Sequence, residues 1–230
     1  MTVLRLIFMV IASITLGTAA ILAAPFNYKG KSIYFVYRIF GKVVLFLSGI
    51  RLEVIFKKNL EEGKEYIFVS NHLSYLDIPV LMTVLPRNIR FIYKKSLSWV
   101  PIFGWAMYLG GYIPIDRANA REAIKSLKKA AGKLNSFISI IIFPEGTRST
   151  DGRTADFKKG AFMLAGMAKS EIVPVSIIGT DSIMPKHEIN IKPGTVKVII
   201  DTPVTFMNDK GFMNRIRGKI IDNINLNSIL

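Results

Sequence analysis

The chain has 230 residues and no cysteine, which excludes a disulfide framework, a thiolate nucleophile and a cysteine zinc site. Half of its residues are hydrophobic, and 31 Lys+Arg against 16 Asp+Glu leave a formal net charge of +15. A nucleic-acid binder would use that charge but has no use for so apolar a chain; the combination points to an anionic membrane surface, where each nearby cation contributes about 1 kcal/mol.

The first predicted element is an apolar helix from Val3 to Ala24, whose single charge is Arg5. About 20 apolar residues suffice to cross a bilayer. Pro25 and the polar stretch 27–32 end the segment. A second apolar run, Ile33 to Ile50, is interrupted by Arg38 and Lys42, which are four residues apart and share one helical face. It reads as an amphipathic, interfacial helix. A cleaved signal peptide fits poorly, because the basic n-region is weak and Pro25 would follow the cut. A spanning anchor and a two-helix hairpin in one leaflet both fit, and hydropathy does not separate them. In either case the basic body follows the first apolar segment, which puts it on the cytoplasmic side. The division expected is 1–50 membrane-associated helices and 51–230 a globular α/β domain.

In the body, short β-rich runs alternate with helical ones. Strands are expected at Tyr66–Ser70, Ile89–Tyr93, Ile138–Phe143, Val173–Ile178 and Thr195–Asp201. Helices are expected at Asp77–Leu85, Ala120–Leu134, Lys158–Lys169 and Asp209–Leu226. Ile138–Phe143 is a continuous apolar run of the kind buried on both faces of a sheet. Strand–helix alternation predicts an α/β fold with a largely parallel or mixed sheet flanked by helices, here preceded by the N-terminal membrane-embedded hairpin.

Only two histidines are available. His187 sits in a turn-like Met-Pro-Lys-His-Glu stretch and reads as an exposed loop residue. His72 directly follows a strand, within Ser70-Asn71-His72-Leu73-Ser74-Tyr75-Leu76-Asp77, and strand ends are where α/β folds place ligands. Ser74 and Asp77 also form an S-x-x-D capping box, in which Asp77 would only satisfy backbone donors. In the other reading the chain bends between strand and helix, so that Asp77 meets His72 as base and orienter, without a serine. A second cluster, Phe143-Pro144-Glu145-Gly146-Thr147-Arg148-Ser149, follows another buried strand. Its arginine suits bidentate phosphate binding. Gly110–Arg117 and Ile172-Val173-Pro174-Val175-Ser176 complete the set; the first offers the Asp116–Arg117 pair, and the second is core by composition.

Taken in order, His72-x₄-Asp77, Gly111–Arg117, Phe143–Ser149 and Val173-Pro174-Val175 resemble the ordered motifs of the glycerolipid acyltransferase family, and most closely its bacterial 1-acyl-glycerol-3-phosphate acyltransferases. The motifs span Asn71 to Ser176, most of the globular body. The resemblance implies transfer of a fatty acyl group from an acyl thioester to the sn-2 hydroxyl of lysophosphatidic acid, giving phosphatidic acid. His72 would be the general base and Asp77 its partner. Asn71, Arg117, Glu145, Gly146, Thr147 and Arg148 would hold the phosphate-bearing acceptor. Lys94, with the adjacent Lys95 as the alternative, matches a family lysine near the thioester and would help stabilise the oxyanion. No metal and no cofactor are implied beyond acyl-coenzyme A or acyl carrier protein as co-substrate. The implied partners are membrane phospholipids, lysophosphatidic acid and the acyl donor, with no nucleic acid, and the implied location is the inner membrane with the catalytic domain on its cytoplasmic side. Trp99, Pro101, Phe103, Gly104 and Trp105 are expected as acyl-chain surface, membrane contact or core. Lys125, Lys128, Lys129 and Lys133 are candidates for a basic surface that attracts the acidic donor. Another acceptor with the same chemistry, or a non-catalytic basic module for anionic lipid, are the alternatives.

Overall fold

The computed structural model describes residues 2–26, 30–116, 118–134, 138–188, 190–209 and 211–227. Residues 27–29 of the expected interhelical turn, and Arg117, lie outside the described residues. The chain opens with helix α1 (Thr2–Ala23) and helix α2 (Lys31–Ser48). Strand β1 (Ile50–Phe56) follows at once, turned out of α2 by Gly49 in a left-handed conformation. Then come β2 (Ile67–Ser70), α3 (Asp77–Val84), β3 (Ile89–Lys94), a short 3-10 turn (Lys95–Trp99), α4 (Phe103–Leu109), β4 (Ile113–Ile115) and α5 (Ala120–Leu134). The last elements are β5 (Ser139–Ile142), α6 (Gly160–Ala168), β6 (Ile172–Ile178), α7 (Thr180–Ile183), β7 (Gly194–Ile200) and α8 (Phe212–Asn227).

The seven strands form one sheet in the order β1-β7-β6-β2-β5-β3-β4. Every neighbouring pair is parallel except β6 and β7, so the sheet is mixed, with β7 and β1 running against the rest. Apolar side chains alternate between two cores. Ile67, Val69, Ile140 and Ile142 pack with residues of α5, α6 and α8 on one face, whereas Phe68, Ile141 and Val175 pack with residues of α2 and α3 on the other. Two cores on one sheet explain why β2 and β5 read as unbroken apolar runs instead of alternating ones.

The boundary expected at residue 50 is crossed by the core. Ile33, Tyr37, Val44 and Leu45 of α2 are buried among residues of α3 and the sheet. At Gly41 the two helices cross closely: a Cβ there would come within 2.8 Å of the Pro79 carbonyl oxygen. Arg38 does not face outward as an interfacial cation; its guanidinium donates to the Leu85 carbonyl oxygen at 3.1 Å, near the C-terminal end of α3. Helix α2 therefore packs one face on the protein body, while Phe35 and Phe46 elsewhere on it are exposed. Helix α1 is different. Val3–Phe26 is the one span among the described residues long and apolar enough to cross a membrane, and Val3, Ile7, Val10 and Ile14 are exposed along it.

Parallel strands β2, β5 and β3 lie side by side, so their C-terminal ends share one edge. That edge carries His72, Glu145 and Lys94 within a few residues of the strand ends. The open C-terminal edge of a sheet is the usual ligand site of such folds.

Candidate active site

The His72 loop leaves β2 under tension from several directions. Asn71 anchors it first: the amide nitrogen donates to the Ile177 carbonyl oxygen at 2.9 Å, and the amide oxygen accepts from the Ile177 N–H at 2.8 Å. Asn71 is fully buried, so the side chain expected on substrate instead pins β2 to β6. The loop then bends into α3, and Asp77 arrives beneath the imidazole. His72 Nδ1 and Asp77 Oδ2 are 2.7 Å apart. The same carboxylate oxygen accepts the N–H groups of Leu73 (2.6 Å) and Ser74 (2.9 Å), and Oδ1 accepts the Thr180 hydroxyl at 2.5 Å.

Helix α3 itself begins at Asp77, with Leu76 at its N-cap and no side-chain capping bond, so only the carboxylate half of the expected capping box is made. Asp77 makes that half by accepting the Ser74 N–H, and its contact with Nδ1 orients the histidine. A carboxylate with that many fixed donors cannot swing away, so the imidazole is held in one orientation. In the neutral ring the proton sits on Nδ1, facing Asp77, which leaves Nε2 as an acceptor. The imidazole stacks on Phe143, with centroids 4.1 Å apart and planes at 19°.

The two strand-end motifs are bonded to each other. Glu145 Oε1 accepts the His72 backbone N–H at 2.7 Å, and the Ser149 N–H donates to the His72 carbonyl oxygen at 2.8 Å. Glu145 Oε2 accepts the Ala155 N–H at 2.8 Å. At 3 % exposure, with both oxygens accepting backbone N–H groups, Glu145 ties the two strand-end loops together. Burial pushes its carboxyl upward from the ordinary glutamate value, partly opposed by those two N–H donors. A Glu145→Gln change puts an amide NH₂ against one of these N–H groups whichever way it is flipped. The expected result is a loss of about 1–3 kcal/mol of unfolding free energy, the cost of one orphaned buried donor, measured by urea denaturation in detergent.

Gly146, with φ +75°, lies under Lys158: a Cβ there would meet Lys158 Nζ at 2.9 Å. Thr147 is exposed, and the Arg148 guanidinium lies 3.5 Å over the Tyr75 ring. Lys94 ends β3 and is exposed; it lines the same cavity as His72, whereas Lys95 does not. The turn at Gly110–Gly111 is a structural one. The buried Arg90 guanidinium donates to the Gly110 carbonyl oxygen, and Lys133 Nζ donates to the Gly111 carbonyl oxygen at 2.6 Å. Lys133, expected on a basic surface, is thus turned inward, and burial lowers its pKa. Lys125 pairs with Glu122 at 2.7 Å, while Lys128 and Lys129 are exposed.

The cavity has a volume of about 650 Å³ and runs from His72, Lys94 and Lys158 into an apolar interior. Gly17 of α1, Tyr37 and Phe40 of α2, and Phe103 and Met107 of α4 contribute to its wall. The N-terminal helices therefore build part of the site. Phe103 lines this wall, and Gly104 is buried, but Trp99 and Trp105 are 83 % and 55 % exposed, which removes core packing as their role. His187 is exposed, as expected. Among the described residues no group of three or more metal-ligating side chains is present.

Three contributors escaped the sequence reading. Thr180 reaches Asp77 from the end of β6, Lys158 covers Gly146, and Lys186 contacts the Thr147–Arg148 pair. Only Lys186 had a visible signal: a cation in a Pro-containing turn after the fourth motif.

A family model described as Acyltransferase matches residues 51–178. A chloroplastic 1-acyl-sn-glycerol-3-phosphate acyltransferase of Arabidopsis thaliana is 39% identical over 161 residues, covering 70% of this chain and 45% of its own length. The chain thus spans about half of that relative. A 1-acyl-sn-glycerol-3-phosphate acyltransferase of Limnanthes alba is 33% identical over 196 residues, with 84% of this chain and 69% of the relative covered. Among solved structures, the 1-acyl-sn-glycerophosphate (LPA) acyltransferase of Thermotoga maritima superposes with a TM-score of 0.80 at 24% identity, covering 98% of this chain and 95% of the other, a likeness of fold.

Proposed function

The chain belongs to the acyltransferase family, and from that premise we propose that it transfers a fatty acyl group from a thioester to the sn-2 hydroxyl of lysophosphatidic acid. The observation that carries the proposal is the His72–Asp77 dyad, held rigidly at the mouth of an apolar cavity and flanked by cations. His72 Nε2 accepts the hydroxyl proton as the substrate oxygen attacks the thioester carbonyl carbon. Asp77, 2.7 Å from Nδ1, stabilises the imidazolium so formed. The tetrahedral intermediate collapses with cleavage of the C–S bond, and the departing sulfur takes the proton back from His72. The products are phosphatidic acid and a free thiol. The substrate supplies its own nucleophile, so no covalent acyl-enzyme is needed.

Lys94, at the cavity mouth, offers a donor to the oxyanion. Arg148 binds the acceptor phosphate, with the Gly146–Thr147 backbone close by. Arg117, carried over from the family pattern, is assigned to the same phosphate. The acyl chain lies in the apolar interior of the cavity. The donor is acyl-coenzyme A or acyl carrier protein, drawn to a surface of net charge +15. Helix α1, apolar and exposed, embeds the enzyme in the inner membrane with the α/β body on the cytoplasmic side.

The test is an acceptor panel offered to the purified chain with acyl-coenzyme A and with acyl carrier protein. Formation of phosphatidic acid from lysophosphatidic acid, well above any product from glycerol 3-phosphate, lysophosphatidylcholine or an acylated amino lipid, is the expected outcome. Transfer only to one of the other acceptors would reassign the substrate while keeping the chemistry.

A further inference from the structure

Lys186 belongs to none of the motifs, yet it is fastened to two of them. It follows α7, and the preceding Met184 accepts the Ser74 hydroxyl on its carbonyl oxygen at 2.7 Å, which ties this segment to the His72 loop. Lys186 Nζ donates to the Arg148 carbonyl oxygen at 2.8 Å and reaches Thr147 Oγ1 at 3.4 Å. In return, Arg148 Nη1 reaches the Lys186 carbonyl oxygen at 3.4 Å. Arg148 is steadied from its flat side by Tyr75, 3.5 Å from the ring centroid.

Two cations are thus interlocked through backbone oxygens, and among the described residues neither has a carboxylate within 4.0 Å. Each cation rests on a backbone oxygen of the other, and an anion that meets both would give each a counter-ion through charge-assisted hydrogen bonds. A guanidinium has five N–H donors, and among the described residues one of those on Arg148 makes a hydrogen bond, a long one to the Lys186 carbonyl oxygen. The ammonium carries three donors, and its contacts with a carbonyl and a hydroxyl leave capacity for a ligand oxygen. The pair is also positioned relative to the chemistry, because the Ser149 N–H, one residue beyond Arg148, holds the His72 carbonyl oxygen at 2.8 Å.

We infer that Lys186 and Arg148 form a two-cation seat for a phosphomonoester dianion, and that Lys186 is the residue that makes the enzyme prefer a phosphomonoester acceptor over a phosphodiester one. This rests on the acyltransferase reading above and deepens it by naming the head-group determinant. A phosphate monoester carries about −1.5 to −2 charges near pH 7 and three terminal oxygens. A phosphodiester has one charge and two terminal oxygens. Arg148 alone satisfies the diester with a bidentate pair; the second cation has a partner only in the monoester. Lys186 acts in binding and touches the head group, remote from the reacting carbonyl, so its loss falls on KM and leaves kcat.

The experiment compares wild type, Lys186→Met and Lys186→Arg in detergent, with lysophosphatidic acid and its phosphate methyl ester as acceptors, beside His72→Ala as the inactive control. For Lys186→Met the expected result is a KM for lysophosphatidic acid raised about tenfold with kcat within about twofold, the pattern of lost uniform binding through one charge-assisted hydrogen bond. The wild-type preference for the monoester over the methyl ester shrinks by the same factor, and Lys186→Arg restores it. Equal losses on both acceptors would mean that Lys186 only braces the loop, and an unchanged preference would mean that it does not read the head group; either overturns the inference while His72-dependent transfer in the wild type leaves the functional reading standing. Absence of wild-type transfer to lysophosphatidic acid overturns both.

Discussion

Replacing Asp77 with alanine is expected to lower acyl transfer about 10²–10⁴-fold and to destabilise the fold by on the order of 2–4 kcal/mol. The two effects have one origin. Asp77 is fully buried and gathers the His72 ring, two backbone N–H groups and the Thr180 hydroxyl on one carboxylate. Removing it orphans the Leu73 and Ser74 donors inside the protein and frees the imidazole to rotate. Asp77→Asn separates the contributions. It nearly keeps the shape, with its NH₂ turned to the Thr180 hydroxyl, which can accept, but it removes the negative charge proposed to stabilise the imidazolium. Rates should therefore fall almost as far as in the alanine variant. A thermal unfolding series read beside initial rates checks this; an Asp77→Ala protein that folds normally and turns over at the wild-type rate would contradict it.

The second large effect belongs to His72 itself. His72→Ala removes the proposed general base, and the expected loss is about 10²–10⁴-fold in kcat with little change in stability. The small stability effect follows from which atoms hold the loop. The bonds that lock the His72 loop to Glu145 and Ser149 use the His72 backbone N–H and carbonyl oxygen, which alanine keeps. The loss on the ring side is the stacking on Phe143 and one hydrogen bond to a carboxylate that retains its other donors. His187→Ala, at an exposed position, should leave both rate and stability unchanged. A His187→Ala defect matching that of His72→Ala would sink the assignment.

Much of this was written in local pattern. Helix α5 begins and ends at the residues its spacing marks, and the unbroken apolar runs of β2 and β5 reflect cores on both faces of the sheet. The elements overlooked share a physical cause. The pattern marks only Ile50 of strand β1, as the end of the second apolar run; residues 51–56 carry no assignment, and the break from α2 rests on a single residue, Gly49, in a left-handed conformation. Strand β4 has 3 residues, too few for any periodicity to register. Helix α4 has no polar face to contrast with its apolar one, since Trp105, Tyr108 and Leu109 are all exposed. The site divides in the same way. His72 and Asp77 meet through a bend confined to six residues, so spacing reveals them. Thr180 and Lys186 arrive through the sheet order, which no local pattern encodes. Asn71 and Glu145 show what the pattern does not reveal: polar side chains at strand ends that satisfy buried backbone groups.

The N-terminal helices carry a related lesson. Their composition speaks of membrane, and α1 keeps that character, yet α2 is spent on α3 and on the cavity wall. The N-terminal helices and the α/β body share a core, so truncation at residue 50 would remove part of the cavity wall along with the apolar helix α1.

The most direct measurement is the initial rate of phosphatidic acid formation from lysophosphatidic acid by the purified full chain in detergent, wild type beside His72→Ala, with both acyl donors offered at saturation. Robust wild-type turnover on at least one donor and a loss of at least about a hundredfold in the variant are expected; full activity in a folded His72→Ala protein would rule out His72 as the general base.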